Sequence, residues 1–368
     1  MGSPSFPPSF PSLPPEVADK LRALCEPLEE LALGLSDVDN WPGHQLQLVG
    51  AAGLLGWGLP EEFGGHPVSD SEMLAAYEMM AAACLTTTFV LTQRSAACQR
   101  IASSDNAEIK SELLPNLCSG ESFATVGISH LTTSRQHLAK PPVSAVETAT
   151  GFVLNGTVPW VTGGRSADHL VSGGTLGDGR QVLLAIPASL PGVEIHPPMR
   201  LLALSASQTA TLTFADAQVP RRFLLHGPIE NVMRVRGGGA GSLTTSALAQ
   251  GVTRGVLGRL LHESERRPDL VPIHKALTAE YNEAGSDLFA AAGTKKEGGP
   301  SPESVRQKAN SLVLRAAQAY LAASKGAGFV TGHPAERAVR EAMFFLVWSC
   351  PQPVVSAALR EFACVIDG

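Results

Sequence analysis

The stretch Gly151-Phe-Val-Leu-Asn-Gly-Thr-Val-Pro-Trp-Val-Thr162 begins like a half-buried strand and ends on an aromatic and a hydroxyl two positions apart. Side chains of a strand alternate between its two faces, so Trp160 and Thr162 are expected on one face. There they can meet the same flat partner, or they can serve a sheet core in which the hydroxyl is satisfied internally.

Outward from this stretch, Gln181-Val-Leu-Leu-Ala-Ile186 and Thr209-Ala-Thr-Leu-Thr-Phe214 have the same short β texture, and Gly, Asp and Pro punctuate the intervals. The region 122–225 is therefore read as an antiparallel sheet or small β-barrel. On its N-terminal side, 16–121, apolar residues recur at helical spacing: Val17, Leu21, Leu24 and Leu28, then Met73, Leu74, Tyr77 and Met80, then Leu113, Leu114 and Leu117. Pro60-Glu-Glu-Phe-Gly-Gly65 breaks the pattern as a turn. On its C-terminal side, 226–368, helical spacing returns, with alanine-rich runs such as 316–323 suited to a close-packed four-helix bundle. The Gly/Pro-rich segment Gly293 to Ser304 is read as a loop, and residues 1–15 as a disordered tail. The fold class is α+β, in the order helices, sheet, helices.

A chain of 368 residues with 44% hydrophobic and 17% charged residues has ample apolar material for large cores. A net charge of −6 argues against a nucleic-acid partner, which would need a basic face to displace counterions from phosphates. No run is apolar enough to span a membrane. The 6 cysteines form no CxxC pair and no metal-ligand spacing, so no metal site is expected and a reducing cytoplasm is. The start of the chain has neither a basic segment nor an apolar core, unlike a secretory signal.

Five motifs in order resemble the acyl-CoA dehydrogenase family. They are Leu55-Gly-Trp-Gly-Leu-Pro-Glu-Glu-Phe-Gly-Gly65, Leu113-Leu-Pro-Asn-Leu-Cys-Ser-Gly-Glu121, the 151–162 stretch, Ser205-Ala-Ser-Gln-Thr209 with Phe214-Ala-Asp-Ala-Gln-Val-Pro220, and Gly326-Ala-Gly-Phe329 with Pro334-Ala-Glu-Arg337 and Arg340-Glu341. The resemblance implies FAD as cofactor, with Trp160 and Thr162 against the isoalloxazine ring. It also implies Ser134 in the loop that touches flavin and acyl-CoA, and Arg267 and Gly326 near the flavin of a neighbouring subunit. It implies an acyl-CoA-like substrate, an electron acceptor of unstated identity, and a homodimer or homotetramer.

Three departures stand out. The loop Ile128-Ser-His-Leu-Thr-Thr-Ser-Arg135 keeps only Ser134 of the family's pattern, and His130 within it is read as an exposed loop residue or else a ligand-facing group. Arg267 stands without the Phe-Gly that usually follows, so it suits either a pyrophosphate or a solvated helix end. Ser349 occupies the position of the family's base, and no Asp or Glu lies between Glu341 and Glu361 or between Glu230 and Glu263. A hydroxyl cannot take an α-proton without a base of its own, so Ser349 is read as a spacer or a substrate hydrogen-bond donor. The leading expectation is an FAD-dependent oxidoreductase acting on an acyl-CoA or similar CH–CH substrate. The alternatives are a flavin monooxygenase on the same fold and an inactive flavin-binding or assembly subunit.

Overall fold

The computed structural model describes residues 13–132, 140–234, 241–293 and 299–365. The helical region comprises α1 (Pro15–Ala32), α2 (Gly43–Ala51), α3 (Asp70–Ala83), α4 (Leu85–Ala102) and α5 (Ala107–Ser119). Local chemistry sets its boundaries. Ser69 and Glu72 form a reciprocal capping box at the start of α3, in which each side chain accepts from the other's backbone N–H. Asn106 caps α5, and Gly120 ends it in the left-handed region with φ 85°. The Pro60–Gly65 turn follows the expected chemistry: Gly64 has φ 83°, and a Cβ on Gly65 would lie 2.4 Å from the Leu59 carbonyl oxygen. The tail expectation largely lies outside the described residues, but Leu13 is buried and Pro15 already opens α1.

The middle of the chain holds β1 (Ala124–Val126), β2 (Val143–Glu147), β3 (Gly151–Val161), β4 (His169–Thr175), β5 (Gln181–Pro187), β6 (Val193–Ile195), β7 (Ala210–Pro220) and β8 (Leu224–Ile229). The strands run β6-β7-β3-β2-β4-β5-β8, with β1 added beside β4. Among the described residues this is an open path, where a barrel was one expectation. Most neighbours are antiparallel, but β4 pairs in parallel with both β1 and β2. The inward residues Phe152, Leu154, Val158 and Val161 of β3 share a core with α4 and α5.

The C-terminal region is α6 (Gly241–Arg266), α7 (Val271–Ala292), α8 (Pro302–Ser324) and α9 (Pro334–Val347), with α10 (Gln352–Phe362) lying on α8 and α9. Gly293 follows α7 and Ser301 caps α8, which places a connection where the loop was expected. α3 packs directly on α6. At Gly251 the two backbones are so close that a Cβ would sit 2.3 Å from the Glu78 carbonyl oxygen. Residues of α1, α3 and α4 accordingly share one hydrophobic core with α6, α7, α8 and α9. None of the described helices is long and apolar enough to cross a membrane.

Candidate functional site

At the end of β3 the strand register slips between Val158 and Val161, and Trp160 takes a left-handed backbone with φ 62°. This corrects the expectation of a shared face. The slip breaks the two-residue alternation, so Trp160 is 45% exposed while Thr162, just past the strand, is 1% exposed. A left-handed Trp is uncommon, and here it turns a flat apolar side chain outward from a sheet whose neighbours point inward.

Beneath it lies a line of three buried hydroxyls. Thr162 Oγ1 is 3.0 Å from Thr209 Oγ1, which is 2.9 Å from Ser207 Oγ. Both ends of the line are pinned through the backbone. Thr125 Oγ1 donates to the Thr162 carbonyl at 2.7 Å, and the Gly163 N–H donates to the Ser207 carbonyl at 3.0 Å. Nearby, Ser129 Oγ donates to the Pro159 carbonyl at 3.2 Å. His130 is not an exposed loop residue: it is buried, with Nε2 2.9 Å from the Gly173 carbonyl oxygen. Ser134 lies outside the described residues.

Arg267 reaches the far end of α8, which Gly326 follows. Arg267 Nη1 donates to the Ala323 carbonyl at 2.7 Å and Nη2 pairs with Asp269 at 2.9 Å, which holds that carboxyl below its ordinary range. Gly326 is exposed, and a Cβ there would meet nothing. Arg267 thus satisfies a carbonyl at the end of α8, and three of its five N–H donors have no partner among the described residues.

Ser349 is exposed between α9 and α10 with φ 43°. The chain on either side of this connection is held from α8. Arg306 Nη2 donates to the Trp348 carbonyl at 3.0 Å, and Asn310 Nδ2 donates to the Phe345 carbonyl at 2.8 Å. Burial pulls the Arg306 guanidinium down to about 10. Trp348 itself stacks on Phe344 and meets Phe89 edge-on.

A carboxylate poised to remove a proton would be displaced upward by burial. Of the described carboxylates that are displaced, Glu72, Asp178, Asp269, Glu280 and Glu336, each is held down by hydrogen bonds or by an arginine. A cavity of about 10 Å³ between α3, α6 and α9, lined in part by Arg259, Arg337 and Glu341, has room for one water and not for an acyl chain. A groove of about 540 Å³ beside Gly192 and Asp216 includes none of the predicted site residues in its lining. Among the described residues no cluster could hold a metal ion.

Sequence reasoning missed a buried ionic network. Glu78 on α3 accepts from Arg254 Nη1 on α6 at 2.9 Å and from the Tyr281 hydroxyl on α7 at 2.5 Å. Burial first, and the Glu78 charge second, push the Tyr281 hydroxyl up. Only the acid at a core-facing position of α3 hinted at it.

The sheet end fits a flat heteroaromatic ring by the chemistry of its donors. Trp160 offers an accessible apolar face, and Thr162 retains hydrogen-bonding capacity beyond its bond to Thr209. The fit rests on Trp160 first, since Thr162 does not reach solvent.

Residues 17–121 match the family profile described as the N-terminal domain of acyl-CoA dehydrogenase. The chain is 24% identical over 337 residues to the probable acyl-CoA dehydrogenase YngJ of Bacillus subtilis (strain 168), covering 85% of this chain and 88% of that protein. It is 24% identical over 356 residues to the mitochondrial short-chain specific acyl-CoA dehydrogenase of Mus musculus, covering 89% and 85%. In fold it is similar to a glutaryl-CoA dehydrogenase from Mycobacterium smegmatis solved with FADH2, with a TM-score of 0.81, 16% identity, and coverage of 96% and 95%.

Proposed function

The chain belongs to the acyl-CoA dehydrogenase family, and from that premise we propose that it is an FAD-dependent oxidoreductase acting on an acyl-CoA or a similar CH–CH substrate. The observation that carries this reading is Trp160, an indole turned outward by a left-handed backbone beside a buried hydroxyl line. Bound there, FAD would supply the hydride acceptor. Trp160 would support the ring by stacking. Arg267, beside the Gly326 turn, has donors left for a phosphate oxygen, and in a homodimer or homotetramer it would serve the cofactor of a neighbouring copy. An electron acceptor would then reoxidise the cofactor. Six cysteines without a disulfide support a cytoplasmic setting.

A second reading is favoured by one observation: Ser349 stands where the family's carboxylate is expected, and no Asp or Glu lies between Glu341 and Glu361. A flavin monooxygenase on this fold, or a flavin-binding assembly subunit, needs no α-proton base.

The test is a titration of the purified protein with FAD, followed by flavin absorbance, beside the variant W160A. The wild-type protein is expected to be yellow. W160A is expected to bind FAD about tenfold more weakly, since stacking contributes on the order of 1.4 kcal/mol. A colourless protein that takes up no FAD overturns the reading. Bleaching by an acyl-CoA with no other reductant supports the dehydrogenase. Bleaching only by a reduced nicotinamide or a flavin reductase, with fast reoxidation in air, supports the monooxygenase.

A further inference from the structure

We propose that Arg100, in the last turn of α4, forms the floor of a binding site for a small oxyanion the size of phosphate, flanked by Ser103 and His226. The site lies against β8, four strands from β3 in the sheet order, and is independent of the flavin reading.

Moving a guanidinium out of water is costly unless acceptors or a counter-charge replace the water. Of the four arginines described as buried, three meet that condition. Arg94 donates to the Leu55 carbonyl at 2.9 Å and also to the Leu117 carbonyl. Arg254 pairs with Glu78, and Arg306 bonds Asn310 and the Trp348 carbonyl. Arg100 is the exception. It is 6% exposed, yet its guanidinium has no hydrogen bond and no ion pair among the described residues. Nε is unbonded and shut off from solvent, whereas Nη1 and Nη2, equally unbonded, are not shut off. Burial alone pulls this guanidinium down, and no carboxylate acts against it.

The surroundings add donors in place of acids. Ser103 Oγ lies 3.3 Å from His226 Nε2, and both residues are half-buried. Burial first lowers His226, and the Arg100 charge works in the same direction, which puts the guanidinium near the ring. The carboxylate that acts on the ring, Asp105, is exposed and works the other way. The frame is fixed as well. Ser104 Oγ donates to the Leu225 carbonyl at 2.7 Å, and Asn106 Nδ2 donates to the Arg222 and Leu224 carbonyls at 2.8 and 3.1 Å. These bonds fasten the end of α4 to β8, so the corner is set before a ligand arrives.

A phosphate or a carboxylate suits this corner. Two of its oxygens match the outer fork of a guanidinium, and a hydroxyl or ring N–H can serve another. Its charge neutralises the buried cation, which a neutral ligand would not.

The experiment is a thermal melt of the purified protein, with and without FAD, against increasing inorganic phosphate or acetate. Sodium chloride at matched ionic strength is the control, and R100M and R100K are the variants. Phosphate at about a hundredfold excess over Kd should raise the wild-type Tm by about 3 °C, saturably, with or without FAD. R100M should lose that rise. In anion-free buffer R100M should melt no lower than the wild type, because it removes an uncompensated buried charge and keeps most of the volume. R100K keeps the charge without the fork and should bind about tenfold more weakly. A rise with acetate in place of phosphate, also lost in R100M, supports the site and assigns it to a carboxylate. An equal rise in R100M, or one reproduced by sodium chloride, would overturn the proposal, as would a wild type that neither oxyanion stabilises. If R100M does not fold, undiminished affinity in R100K would overturn it. A wild type that takes up no FAD but keeps the phosphate response would sink the flavin reading alone.

Discussion

Replacing Glu78 by Gln should be among the most destabilising single changes in the bundle, even though the new side chain is nearly isosteric. Glu78 is 4% exposed and its partner Arg254 10% exposed, with 2.9 Å between the charged atoms. At an effective dielectric of about 20, a pair at that distance attracts by roughly 6 kcal/mol, and desolvation of both ions offsets much of it. The substitution removes the anion that faces the buried guanidinium. Breaking one side of such a pair costs about 3–5 kcal/mol. For a chain of this size that corresponds to a fall in Tm of roughly 4–6 °C. Y281F removes the hydrogen bond to the charged group and should cost about 1.5–3 kcal/mol. Because the two changes share Glu78, the double variant should be less destabilised than the sum of the singles. Urea melts followed by far-UV circular dichroism would measure all three. A cost below about 1 kcal/mol for E78Q would refute the claim that the ion pair holds α3, α6 and α7 together.

Two further outcomes can be checked. Burial lowers the pKa of His169 and His226 below that of an exposed histidine, 6.5, so the folded state resists their protonation. Their contribution is fully present above the unfolded pKa and is lost as pH falls. The Tm should therefore decline from about pH 6.5 downward. H169N should flatten that decline, and an unchanged slope would count against His169. The substitution S349E puts a carboxylate at the family's base position on an exposed connection. Under the dehydrogenase reading it should speed bleaching of bound FAD by an acyl-CoA at least about a hundredfold. No acceleration in a folded, FAD-bound variant would place the proton acceptor elsewhere.

How much could be read from sequence depended on whether the physics was local. Strands β3, β5 and β7 were legible because Phe152, Leu154 and their counterparts alternate or run together between turn residues. The Pro60–Gly65 turn was legible because its glycines are required by the backbone itself. The Trp160–Thr162 face was misjudged because a register slip and one left-handed residue override the period of a strand, and neither leaves a compositional mark. Glu78, Arg254 and Arg306 read as surface charges in a sequence, since nothing local distinguishes a buried ion from a solvated one. His130 was misplaced for the same reason: its acceptor, the Gly173 carbonyl, is 43 residues away.

The near-touching backbones at Gly251 limit how the molecule can breathe. Two helices that leave no space for a methyl group cannot slide past each other without a collision, and Gly255 repeats the restriction one turn later, with the Ala82 carbonyl oxygen 2.7 Å from where its Cβ would be. The first and last helical segments are therefore locked together along the α3–α6 contact.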